Sequence, residues 1–93
     1  MKAVRELIEK VREKFGFEVK DMADAWRLVE WLEERGWVVY IITAKGRKQV
    51  DAWHPNYGTL FAQFGESPNF ESILEGILTV SLLAKELEEK GTL

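Results

Sequence analysis

The chain has 93 residues and a net charge of −3, with no cysteine and a single histidine, His54. This excludes disulfide scaffolding and thiolate chemistry, and leaves no imidazole cluster for a transition metal. At this length a folded chain buries only roughly 60–65% of the surface its unfolded form exposes, which predicts one domain, residues 1–93, held together by apolar burial.

Residues 2–15 place Val4, Leu7, Ile8, Val11 and Phe15 at spacings of three and four among charged residues, and Gly16 follows. The pattern predicts an amphipathic helix, residues 1–16, with a left-handed stop. This charged start differs from the apolar core of a secretory signal, and residues 77–84 are too short an apolar run to span a bilayer. The expectation is a cytoplasmic protein with no membrane partner.

Asp21 is the predicted N-cap of a second helix, residues 22–35, since its carboxylate suits both the free amides and the positive end of the helix dipole. On a helical wheel Met22, Ala25, Trp26, Leu28, Val29 and Leu32 share one side. Trp31 lies on the polar side, so it either covers the first helix or stands exposed.

Gly36 ends this helix, and residues 37–43 form an unbroken run of β-branched and aromatic residues, the one segment apolar on both faces. A turn at residues 44–47 predicts an antiparallel return over 48–54, and Pro55-Asn56-Tyr57-Gly58 predicts a second turn before a third strand over 59–64. Alternation puts Val50, Ala52, His54, Leu60, Ala62 and Phe64 on one face, the predicted core face. Gln49, Asp51, Trp53, Thr59, Phe61 and Gln63 fall on the other, where Tyr40 joins Trp53 and Phe61.

Ser67 and Pro68 predict the start of the last helix. Its broad stripe runs from Phe70 to Leu87, with Leu78 and Leu82 on one shoulder and Leu83 on the other. Gly76 costs about 1 kcal/mol relative to alanine inside a helix, and marks a close approach by another element. The fold predicted is α+β, a three-stranded antiparallel sheet packed with helices in the order α-α-β-β-β-α. Residues 21–90 form its helix-strand-strand-strand-helix core, and the first helix lies across the open face or beside Trp31.

Residues 21–87 also carry a family likeness. Ala25-Trp26-Arg27-Leu28-Val29-Glu30-Trp31-Leu32, the Gly36-Trp37 entry, Asp51-Ala52-Trp53 and Phe61-Ala62-Gln63-Phe64-Gly65 before a Ser-Pro-x-Phe-Glu-x-Ile segment resemble the small phage-encoded ABA sandwich domain family. The first helix and the turn at 55–58 have no counterpart in that likeness. The resemblance implies a phage or prophage accessory protein, without enzyme activity, that binds and inhibits a host factor such as a defence effector, in the host cytoplasm. It implies no catalytic residue and no cofactor.

The residues themselves point the same way about chemistry. Asp51 is three positions from His54 on one strand, hence on the opposite face, and no nucleophile elbow, phosphate loop or paired-carboxylate motif accompanies them. Helix-borne glutamates without a calcium-loop spacing predict no metal. The alternative to protein binding is single- or double-stranded nucleic acid, stacked on Tyr40, Trp53 and Phe61 beside the basic hairpin Lys45, Arg47 and Lys48. Double-stranded RNA-binding domains have a similar order of elements, but present lysines where this chain has Glu66, Glu71 and Glu75. The candidate binding residues are therefore Trp31, Tyr40, Trp53, Phe61, Lys45, Arg47 and Lys48, and the excess apolar surface on the last helix predicts a homodimer.

Overall fold

The computed structural model describes residues 2–61 and 68–90. Helix α1 is Lys2–Phe15 and α2 is Met22–Glu34; strands β1, β2 and β3 are Val38–Ala44, Arg47–His54 and Gly58–Thr59; helix α3 is Ile73–Lys90. The sheet is antiparallel in the order β1-β2-β3, which makes the chain α+β as the sequence predicts.

Both core helices start on the same device. Asp21 Oδ1 accepts from the Asp24 amide at 3.0 Å, and Asp24 Oδ2 accepts from the Lys20 amide at 2.9 Å. Ser72 Oγ accepts from the Glu75 amide at 3.1 Å, and Glu75 Oε1 from the Glu71 amide at 2.8 Å. In each case one amide of the first turn and the amide just before the cap are satisfied reciprocally. The predicted start at Ser67 and Pro68 is thus corrected: Ser67 lies outside the described residues, Pro68 to Phe70 are not helical, and Ser72 is the cap.

Helix α2 ends as its glycine predicts. The Gly36 amide donates to the Glu33 carbonyl at 3.1 Å and the Trp37 amide to the Leu32 carbonyl at 3.0 Å, the pairing of a Schellman turn. This requires the left-handed backbone of Gly36, φ +93°, and turns the chain directly into β1.

The core lies between the sheet and helices α2 and α3. Val50, Ala52, His54 and Leu60 are buried on the predicted face, against Ala25, Leu28, Val29 and Leu32 of α2 and Ile77, Val80, Ser81 and Ala84 of α3. Helix α2 lies against β1, and α3 against β2. Gly76 is where α3 comes closest, since a Cβ there would stand 2.9 Å from both Val50 Cβ and Phe70 Cδ2.

Helix α1 packs on α3, with Val11 fully buried, and its Phe15 meets Trp31 edge to face with centroids 4.8 Å apart. Of the two places open to the first helix, it takes the one beside Trp31. It also covers part of the excess surface on α3: Leu78 is buried and Leu82 and Leu83 are half-buried.

Two expectations are corrected. The third strand does not run over 59–64, because β3 ends at Thr59 and Leu60 and Phe61 are already helical; Ala62, Gln63 and Phe64 lie outside the described residues. The outer side of β2 is served by other groups instead. Asp51 Oδ1 accepts from the Phe61 amide at 3.3 Å, and the Lys48 carbonyl accepts from the Phe70 amide at 2.7 Å. Met22 and Trp26 are also not core residues but exposed, because α2 sits over an edge strand and none of the described residues covers its outer flank.

Candidate functional site

Strands β1 and β2 pair from Val38 opposite Trp53 through Tyr40 opposite Asp51 and Ile42 opposite Gln49 to Ala44 opposite Arg47. These side chains share the sheet face turned away from the helices. On it Val38, Tyr40, Ile42 and Trp53 are 45%, 49%, 43% and 40% exposed. A β-branched and aromatic surface of this kind is ordinarily covered in a small domain. Tyr40, Ile42, Gln49 and Asp51 enclose a shallow cleft of about 160 Å3.

The candidate residues divide. Tyr40 and Trp53 come together on this face. Phe61 does not join them: it is 7% exposed and its ring packs near Phe70, centroids 6.1 Å apart, because the chain has left the strand before it. Trp31 is half-buried on the far side of the molecule, between Phe15 and the cations Arg35 and Lys85, whose charged groups stand 5.2 and 5.6 Å from its ring. Among the basic residues, Lys45 is at the hairpin tip and Arg47 is on the aromatic side, where its Nη2 donates to Gln49 Oε1 at 2.6 Å. Lys48 has the parity of Val50 and Ala52, so it points to the opposite side of the sheet. The three cations do not form one patch around the aromatics.

Sequence reasoning missed Val38 and Ile42, which complete the face. Their signal was the run apolar on both sides; assigning one side to the core left the other unexplained.

The remaining polar groups with chemical potential are occupied structurally. His54 is buried, Nδ1 accepting from the Asn56 amide at 3.0 Å and Nε2 donating to the Arg35 carbonyl at 3.0 Å. With both nitrogens engaged in a neutral tautomer, the ring has no lone pair for a substrate proton. It lies beside Trp37, which stacks on Tyr57 with planes 6° apart. Below them Glu88 pairs with Arg35 and with the Trp37 indole.

Among the described residues no group of three or more histidines, aspartates and glutamates converges as metal ligands would, and no helix is long and apolar enough to cross a membrane. A groove of about 360 Å3 runs between α1 and α3, floored by Leu7, Leu82 and Leu83 and rimmed by lysines and glutamates of both helices. Compared with protein-family models, with curated proteins and with solved structures, the chain matches none.

Proposed function

We propose that the protein is a non-enzymatic binding module that docks a protein partner on the open sheet face of Val38, Tyr40, Ile42 and Trp53. The observation that supports it is the exposure of all four on one surface that the described helices leave bare, although α2 and α3 lie a single layer away. Aromatic side chains bring large contact area at low entropic expense, and such residues are enriched in the buried centres of protein interfaces. The likeness to phage ABA sandwich domains extends the proposal: a phage or prophage accessory protein that occupies a host factor, a defence effector among the candidates, in the host cytoplasm.

The test is a photo-reactive amino acid at Trp53 of the full chain, expressed in a bacterial host, with the same substitution at Glu18 as control. One host protein captured from position 53, lost on Tyr40→Ser and then bound by the purified chain, supports the reading. Titration of labelled single- and double-stranded oligonucleotides at low salt is the counter-test. Salt-sensitive binding abolished by changing Lys45, Arg47 and Lys48 to glutamate would overturn it in favour of nucleic acid.

A further inference from the structure

The outer edge of β1 carries its own information, independent of the side chains on the open face. Strand β1 lies at the end of the sheet, with β2 on one side only. The two-residue turn makes Ala44 and Arg47 a hydrogen-bonded pair, and bonded and non-bonded pairs alternate from there. The parity is confirmed from β2, where the Lys48 carbonyl is turned outward to Phe70 and the Ala52 amide is turned outward to Asp51 Oδ1. Their partners on β1 are Thr43 and Val39, with Ile41 between. The N–H and C=O groups of these three residues therefore point away from the sheet, and no bond from another described residue reaches them.

An edge seven residues long without proline, charge or bulge is what soluble proteins normally block. Here it reads Val-Val-Tyr-Ile-Ile-Thr-Ala, and the nearest charge is Lys45 in the turn. Such an edge selects an extended strand as its ligand, because only a strand presents donors and acceptors at the matching repeat.

Helix α2 adds a second surface at the same edge. Its buried stripe is Ala25, Leu28, Val29 and Leu32. Trp31 falls on one flank of that stripe, toward α1; Met22, Trp26 and Glu33 fall on the other. Since α3 lies over β2, the flank opposite Trp31 overhangs the free edge of β1. Met22 and Trp26 are 42% and 48% exposed there.

We infer that the occupant of this edge is a second copy of the chain, paired antiparallel through β1 about a twofold axis at Ile41. This register sets Val39 opposite Thr43 of the other copy and Ile41 opposite itself, so all outward amides and carbonyls of both edges are satisfied. It brings the two α2 flanks, with Met22 and Trp26, toward each other in antiparallel orientation. It also sends the hairpin tip of each copy, with Lys45, toward the C-terminal end of the other copy's α2, where Glu33 and Glu34 are exposed. Neither Lys45 nor Glu33 has an ion-pair partner among the described residues of its own chain. The charges are complementary in the antiparallel arrangement and would not meet in a parallel one.

The result is a six-stranded sheet in which Val38, Tyr40 and Ile42 of both copies form one continuous strip. The pairing goes beyond the docking face proposed above and lengthens it, since a single copy holds only half of the strip.

The absence of cysteine allows a direct test. Ile41→Cys in the full chain is joined to its copy by a short bis-maleimide cross-linker, whereas Thr59→Cys, on β3 at the opposite edge of the sheet, stays monomeric. Sedimentation of the unmodified chain gives a dimer. Ile41→Pro removes an amide that β2 does not use, so circular dichroism is unchanged while the dissociation constant rises roughly tenfold or more. Lys45→Glu and Glu33→Lys each weaken the dimer, and together they restore it.

A chain that remains at 10.8 kDa on concentration overturns the pairing. So does a dimer indifferent to Ile41→Pro and dissociated by Leu83→Glu, which places the contact on α3. Either outcome leaves photo-capture from position 53 to stand on its own, so the docking face and the strand pairing fail separately.

Discussion

The Trp37 indole Nε1 donates to Glu88 Oε2 at 2.9 Å, across fifty-one positions of sequence, and thereby ties the entry of β1 to the last turns of α3. Glu88 also pairs with Arg35, so one carboxylate serves the residues on both sides of Gly36. The Glu88 side chain is only 14% exposed while that of Arg35 is 51% exposed. The ion pair is therefore screened and worth little, and the bond to the buried indole dominates.

Glu88→Ala leaves the indole donor without a partner and should destabilise the fold by about 1–3 kcal/mol. Glu88→Gln keeps an acceptor and should lose a smaller amount. Urea unfolding of the two variants measures the difference, and equal losses would show that the Arg35 pair dominates instead.

At Gly36 two effects add. Its φ of +93° disfavours any L-residue by about 1–2 kcal/mol, and a Cβ there would stand 3.2 Å from His54 Nε2, at the bond to the Arg35 carbonyl. Gly36→Ala should therefore lower stability by at least that amount. Gly16→Ala, whose glycine has a similar φ of +83° and no atom near a new Cβ, should show the backbone effect alone.

Gly76 tests the opposite balance. Alanine there gains about 1 kcal/mol of helix propensity, but its methyl overlaps Val50 and Phe70. Overpacking typically costs about 1–3 kcal/mol, so Gly76→Ala should be net destabilising. A double-mutant cycle with Val50→Ala checks the cause: the loss should shrink when the Val50 methyls are removed.

Much of this architecture is legible in the sequence, and the failures share a physical origin. The hairpin, the Asp21 cap, the glycine after α2 and the close approach at Gly76 all depend on local pattern or on a residue without a side chain. Trp26 and Met22 were misplaced because a helical wheel locates the centre of the apolar stripe but not its width. That width is decided by neighbours, and α2 overhangs an edge where the described residues supply none. The third strand was overextended because the alternation after Thr59 cannot reveal that Asp51 takes the Phe61 amide in place of a strand partner. The cap at Ser72 was legible as Ser-x-x-Glu, Ser72 to Glu75, yet the Ser67-Pro68 pair gave an equally good local signal.

That last strand separates two aromatics that alternation treats alike. Trp53 and Phe61 share a parity, but Trp53 is 40% exposed and Phe61 is 7% exposed. Phe61→Thr should cost several kcal/mol, approaching the roughly 3–5 kcal/mol typical of truncating a buried phenylalanine, because the ring fills space beside Phe70. Trp53→Thr removes a larger side chain from the open face and replaces it with a good strand former. Its effect on stability should stay within about 0.5–1 kcal/mol. Binding should respond in the reverse order: Trp53→Thr abolishes capture of a partner by a probe moved to Tyr40, and Phe61→Thr, assayed below its lowered melting point, retains it. Thermal unfolding and photo-capture on the same two variants measure both effects. If Trp53→Thr unfolded the protein, the face would be part of the core, and the docking surface would have to be sought elsewhere.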